Sequence, residues 1–177
     1  MLGVLLGLFA GLRIGEICTL KLGDIDLSEQ LVHIDKTMFR IRNPDDGSPK
    51  TLLITDTPKS ASSVRSVPIL PFMLGALTRL KHSHPDGSYF LSGSAVPIEP
   101  RTYTERYKAF LNRLNIPYRK FHSLRHTYAT ECIKHGVDVK SLSELLGHSS
   151  VKITLDRYVH SDMKMKRLEL EKLYNAI

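Results

Sequence analysis

Between Phe121 and Tyr158 three runs with helical spacing follow one another with only a few turn residues between them. Leu124, Tyr128 and Cys132 recur at four-residue intervals and predict a helix. On it, His122 and Arg125 lie three apart on one face. Val139 to Leu146 predicts a second, short helix, stopped by Gly147, a residue type favoured just past a helix end. His148 follows in the turn. Ser149 or Ser150 supplies the cap of a third helix, and Tyr158 falls near that helix's end. Three closely linked helices thus carry two imidazoles, a guanidinium and a phenol toward one candidate site. That set suits a phosphate group better than a carbonyl, because a guanidinium fork matches two phosphate oxygens.

A chain of 177 residues holds one good core, or one domain with an appendage. Lys and Arg number 25 against 18 Asp and Glu, a formal net charge of +7. Such an excess serves solubility, and it also suits a polyanionic partner, above all nucleic acid. Cys18 and Cys132 sit in predicted helices with no paired spacing, which points to buried thiols in a reducing, cytoplasmic setting. Met1 to Ala10 is nearly all apolar, too short to span a bilayer and without the basic start of a signal peptide. It reads as a buried core helix. A chain that starts inside a core helix is expected to have lost a preceding domain.

Next, Ile14, Ile17 and Leu20 recur at helical spacing, with Arg13 and Glu16 three apart on another face. An Arg between glycines in so apolar a run reads as partly buried and held by its Glu. Extended segments are expected at 31–34, 38–41, 52–55 and 64–69, joined as antiparallel hairpins, with a polar turn carrying Lys59 between the last two. Pro71 to His82 and Pro100 to Leu114 read as helices, the second basic on its outer face, and Tyr89 to Leu91 as a short edge strand. In the tail, Leu170, Leu173, Tyr174 and Ile177 form an apolar face that either covers its own core or docks on a neighbour. The fold class expected is α+β, mainly helical, with a small antiparallel sheet on one side.

These segments together resemble the catalytic domain of the tyrosine recombinase, or phage integrase, family. Gly-Leu-Arg-Ile-Gly-Glu-Ile at 11–17 is similar to the family's first arginine box, which implies Arg13 as a catalytic arginine with Glu16 in support. Thr-Pro-Lys-Ser-Ala-Ser-Ser-Val-Arg-Ser-Val-Pro-Ile at 57–69 resembles the β-hairpin box and implies Lys59 as the catalytic lysine. His-Ser-Leu-Arg-His-Thr-Tyr-Ala-Thr at 122–130 resembles the box that supplies His122 and Arg125, and Leu-Leu-Gly-His-Ser-Ser at 145–150 the one that supplies His148. Tyr158, in Asp-Arg-Tyr-Val-His, matches the nucleophile.

The resemblance covers essentially the whole chain. It implies a site-specific recombinase that cuts and rejoins DNA through a 3′-phosphotyrosine, using no metal, ATP or other cofactor. The implied partners are double-stranded DNA and other protomers in a tetramer on DNA, with no membrane and no small-molecule substrate. It further implies that residues 1–177 are the catalytic domain without the family's amino-terminal core-binding domain, and that 162–177 form a helical tail able to dock in trans. Three other readings compete. A type IB topoisomerase shares the residues but reseals a single strand. A helix-turn-helix regulator accounts for the turn at Gly147 and leaves Arg13, Lys59 and Tyr158 without a purpose. A zinc protein using His122, His126 and His148 lacks a carboxylate or cysteine at ligand spacing.

Overall fold

The computed structural model describes residues 2–45, 48–57 and 61–158, together with Arg167, Glu171 and Tyr174. Its first helix, α1 (Leu2–Phe9), is apolar on nearly every side, which is how a helix wrapped by core reads in sequence. It packs against α5 (His122–Lys134), more than a hundred residues downstream. Gly11 makes the turn out of α1 with a φ of +65°, and a Cβ there would lie 2.6 Å from the Tyr128 ring of α5. Only glycine meets both demands.

The next helix, α2 (Ile14–Thr19), starts at Arg13, where Oε2 of Glu16 accepts the Arg13 backbone N–H at 2.7 Å. This is the reach-back of a Glu at the third helical position. Short β1 (Ile25–Asp26), β2 (Leu31–Ile34) and β5 (Arg65–Pro68) form one antiparallel sheet in the order β1-β2-β5, with Val32 opposite Val67. Strands β3 (Thr37–Arg42) and β4 (Thr51–Asp56) form a separate antiparallel hairpin. The α+β class is as expected, but the strands divide into two sheets. β2 and β5 close on each other across the β3–β4 excursion, so they are not joined by a hairpin of their own. Tyr89 makes an isolated bridge to Lys21 where an edge strand was expected.

Helices α3 (Pro71–Ser83) and α4 (Pro100–Arg113) each begin on a proline, which needs no N–H partner in the first turn. With α1, α2 and the three-stranded sheet they enclose the main core, where Leu6, Leu12, Ile17, Leu22, Ile25, Val32, Val67 and Leu77 are fully buried. Each such side chain stabilises the fold by about 1.5–3 kcal/mol. At the edge of this core Phe121 packs edge-on against Tyr103 and Tyr107, at 5.6 and 5.2 Å between ring centroids, and thereby fixes the start of α5.

A second, much smaller cluster consists of Ala129, Leu142 and Leu146, with Tyr128, Cys132, Ile133, Val137 and Tyr158 packed around it. It joins α5 to α6 (Val139–Leu146) and α7 (Val151–Tyr158). Asp138 caps α6 by accepting the Ser141 N–H at 2.8 Å, and Gly147 ends it in the left-handed conformation. Ser150 caps α7 through the Lys152 N–H. Both cysteines are free, and burial pushes the Cys18 thiol up to about 12. Among the described residues no helix is long and apolar enough to cross a membrane. Leu170, Leu173 and Ile177 lie outside the described residues, while Tyr174 is helical and 82% exposed.

Candidate active site

The carboxyl-terminal end of α6 is where the sequence-predicted residues meet. A helix end leaves carbonyl oxygens without partners and carries partial negative charge. Here they are taken by guanidiniums. Arg125, from α5, donates to the carbonyl oxygens of Leu146 and, at 2.7 Å, of Gly11. Arg13 donates to the carbonyl oxygen of Gly147 at 3.3 Å. Arg125 is 1% exposed, and burial, with the charge of Arg13 beside it, lowers its pKa to about 9, so it stays charged at neutral pH. Arg13 keeps about a third of its side chain open to solvent. Two cations are thereby held side by side, and Arg13 is paired with Glu16, 2% exposed, whose Oε1 lies 2.8 Å from Arg13 Nη1. Burial raises the Glu16 pKa, and Arg65 followed by Arg13 outweighs it, so the carboxyl stays ionised below its usual range.

The imidazoles line the same place. His148 follows Gly147 directly, and its Nδ1 pairs with the Thr154 hydroxyl of α7 at 2.9 Å, leaving Nε2 for a ligand. Burial first, then Arg125, Arg13, Arg157 and Arg65, push its pKa down to about 4, so the ring is neutral at pH 7. The Tyr158 ring lies parallel to it at 6.4 Å between centroids. His122 also has a lowered pKa, from burial, His126 and Arg125. It stands edge-on to His126 at 4.5 Å, and His126 in turn lies 5.6 Å from Tyr158. The Tyr158 oxygen is buried and has no hydrogen-bond partner among the described residues. On the outer side of Arg13, a cleft of about 390 Å³ opens toward Thr37, Phe39 and Asp56 of the β3–β4 hairpin.

Arg13, His122, Arg125, His148 and Tyr158 are therefore gathered in one region. Lys59 lies outside the described residues. Sequence reasoning missed three groups. Arg65 is the first, with a side chain only 6% exposed and both η nitrogens on Glu16, at 2.9 and 3.1 Å. Its signal was present: Arg65 stands two residues before Val67, in phase with the inward face of β5. The second is Thr154, four residues before Tyr158 on α7. The third is His126, named only as a zinc ligand. Among the described residues no group of three or more His, Cys, Asp or Glu side chains is placed to hold a metal.

The sequence model of the phage integrase family matches residues 2–165. The chain belongs to the phage integrase family. It is 34% identical over 185 residues to a XerC-like tyrosine recombinase of Caldanaerobacter subterraneus subsp. tengcongensis, covering 96% of this chain and 47% of the relative. It is 30% identical over 190 residues to the transposase from transposon Tn916 of Enterococcus faecalis, covering 96% of this chain and 45% of the relative. The chain thus spans about half the length of these curated relatives. Among solved structures, the Tn1549 transposon integrase in complex with circular intermediate DNA superposes with a TM-score of 0.75 at 26% identity, covering 96% of this chain and 58% of that one. XerA recombinase, at 22% identity and a TM-score of 0.66, shares the fold.

Proposed function

We propose that this phage integrase family chain is the catalytic domain of a site-specific DNA recombinase, in which Tyr158 forms a 3′-phosphotyrosine bond. The observation that carries this reading is the convergence of Arg13, Arg125 and His148 on one helix end beside a phenol. Three donors able to hold non-bridging phosphate oxygens stand next to a nucleophile. Similarity to a transposase from a transposon, and to an integrase in complex with DNA, supports DNA as the substrate.

In the proposed reaction, Oη of Tyr158 attacks the scissile phosphorus and the bond from phosphorus to the 5′-oxygen breaks. A phenol has a pKa of about 10, so its proton must leave with the attack. His122 is the acceptor proposed, with His126 in ring contact with both partners. Negative charge grows on the non-bridging oxygens, where the forks of Arg13 and Arg125 and the Nε2 of His148 meet it. Their backbone and hydroxyl partners already fix them, so little reorganisation accompanies the reaction. The departing 5′-oxygen takes a proton from Lys59. Since the phosphotyrosine retains the phosphodiester's energy, a 5′-hydroxyl from another strand can attack it and release Tyr158. Among the described residues the Tyr158 oxygen has no hydrogen-bond partner, which supports its being open to the attack on phosphorus.

The test is incubation with nicked duplexes whose cleaved end diffuses away, followed by denaturing electrophoresis. The wild-type chain is expected to leave a protein–DNA adduct and Tyr158→Phe none. Adduct formation by Tyr158→Phe at the wild-type rate would remove the tyrosine from the reaction. Transfer of the strand to a second duplex separates recombination from simple resealing.

A further inference from the structure

We infer, on the reading of the site as a phosphoryl-transfer centre, that Arg65 is a positioning residue. It holds Glu16 and the end of α6 so that Arg13 and His148 face one phosphate. A buried guanidinium loses several kcal/mol of hydration and persists only where it is fully paired. Arg65 makes four hydrogen bonds, to three residues. Its Nη1 and Nη2 donate to the two oxygens of Glu16, its Nε donates to the Leu145 carbonyl oxygen at 2.7 Å, and Nη1 also reaches the Ser63 carbonyl oxygen at 3.2 Å.

Glu16 and Leu145 lead back to the site. Glu16 is the carboxylate that holds both the Arg13 backbone N–H and its Nη1. Leu145, Leu146 and Gly147 are successive residues, and their carbonyl oxygens accept from Arg65, Arg125 and Arg13 respectively. Three cations therefore share one helix end, whose partial negative charge offsets their mutual repulsion. The turn that carries His148 also rests on Arg65: a Cβ at Gly147 would lie 3.0 Å from Arg65 Nη1. Arg65 comes from the sheet, and the groups it aligns come from α2 and α6. It thus ties the sheet to α6, which belongs to the smaller cluster. Lys in its place keeps the charge, and it cannot grip two carboxylate oxygens and a carbonyl at once.

The test compares Arg65→Lys, with Arg65→Gln as the replacement should the lysine variant fail to unfold cooperatively. Single-turnover cleavage of the nicked duplex is measured at saturating protein, with Kd alongside. The expected result is cleavage roughly 10- to 100-fold slower with Kd changed by less than about threefold, the pattern of lost transition-state alignment. In the Arg13→Ala background the same change is expected to cost much less, because residues acting as a unit are not additive. Defects that multiply fully, or wild-type cleavage at saturation, overturn the inference. An adduct-independent readout is the Arg13 Nε–Hε NMR signal. It is expected to be resolved in the wild-type chain and to collapse toward the exposed-arginine position in Arg65→Lys; an unchanged signal overturns the inference. Should the wild-type chain form no adduct, the recombinase reading fails, and the NMR result still decides the role of Arg65.

Discussion

The two cores of this protein bury different things. The main core, built by α1–α4 and the three-stranded sheet, is filled mainly with leucine, isoleucine and valine, with a few aromatic rings and methionines among them. The small core beneath α5, α6 and α7 is centred on Ala129, Leu142 and Leu146, and next to it lie buried Arg125, Ser143 and Thr154. Apolar packing is non-directional and supplies stability. Buried hydrogen bonds to charged groups add less net stability and fix direction instead. The main core therefore keeps the chain folded, while the small core keeps Arg125, His148 and Tyr158 aimed.

The contrast can be broken most directly at Arg125. Arg125→Ala is expected to slow cleavage at saturating DNA by at least about a thousandfold, roughly 4 kcal/mol of transition-state stabilisation. A defect confined to thermal stability would assign Arg125 to packing alone. Leu77→Ala, in the main core, should do the reverse. It is expected to cost about 2–5 kcal/mol in denaturant unfolding while the folded fraction cleaves at the wild-type rate. Equal losses of rate and stability there would mean the cores are not separable.

Thr154→Val sharpens the comparison with a smaller change. It keeps the shape, deletes the hydroxyl paired with His148 Nδ1, and should cost about 1 kcal/mol of stability. Cleavage should fall about tenfold, because a ring without its second partner loses its set orientation. An unchanged rate would show that the turn alone orients His148.

The smallest effect expected is one of pH. Burial and neighbouring arginines push His148 down to about 4, and His122 and His126 are lowered too. A group whose folded pKa lies below its unfolded value of about 6.5 binds protons on unfolding. Its contribution is whole above that pH and is lost as pH falls toward the folded value. Tm should decline on acidification from about pH 7 to pH 5, with a shallower decline in His148→Asn. Parallel curves would place the titration elsewhere.

Much of the small core was legible in the sequence because its signals are local. Gly147 stops α6 where the apolar run ends, and the spacing of His122 and Arg125 survives in the structure as one face of α5. The main core's helices were legible for the same reason. What was not legible depends on distant partners. Arg65 meets Glu16 across 49 positions and Leu145 across 80, and no local pattern states such a pairing. The division into two sheets has the same origin, since alternation marks a strand and does not choose its neighbour. Arg13 and Glu16 were read as a pair, and the third member of that ion cluster was absent from the reading.

In the proposed reaction α7 presents Tyr158, and no other nucleophile, to a phosphate held at the end of α6. Proteolysis of the trapped adduct and mass spectrometry of the peptide that retains a nucleotide test it most directly. The expected product is a nucleotide joined through its 3′-phosphate to Tyr158, formed in the presence of a chelator. Attachment at another residue, or strand scission with no nucleotide retained on the protein, would contradict it.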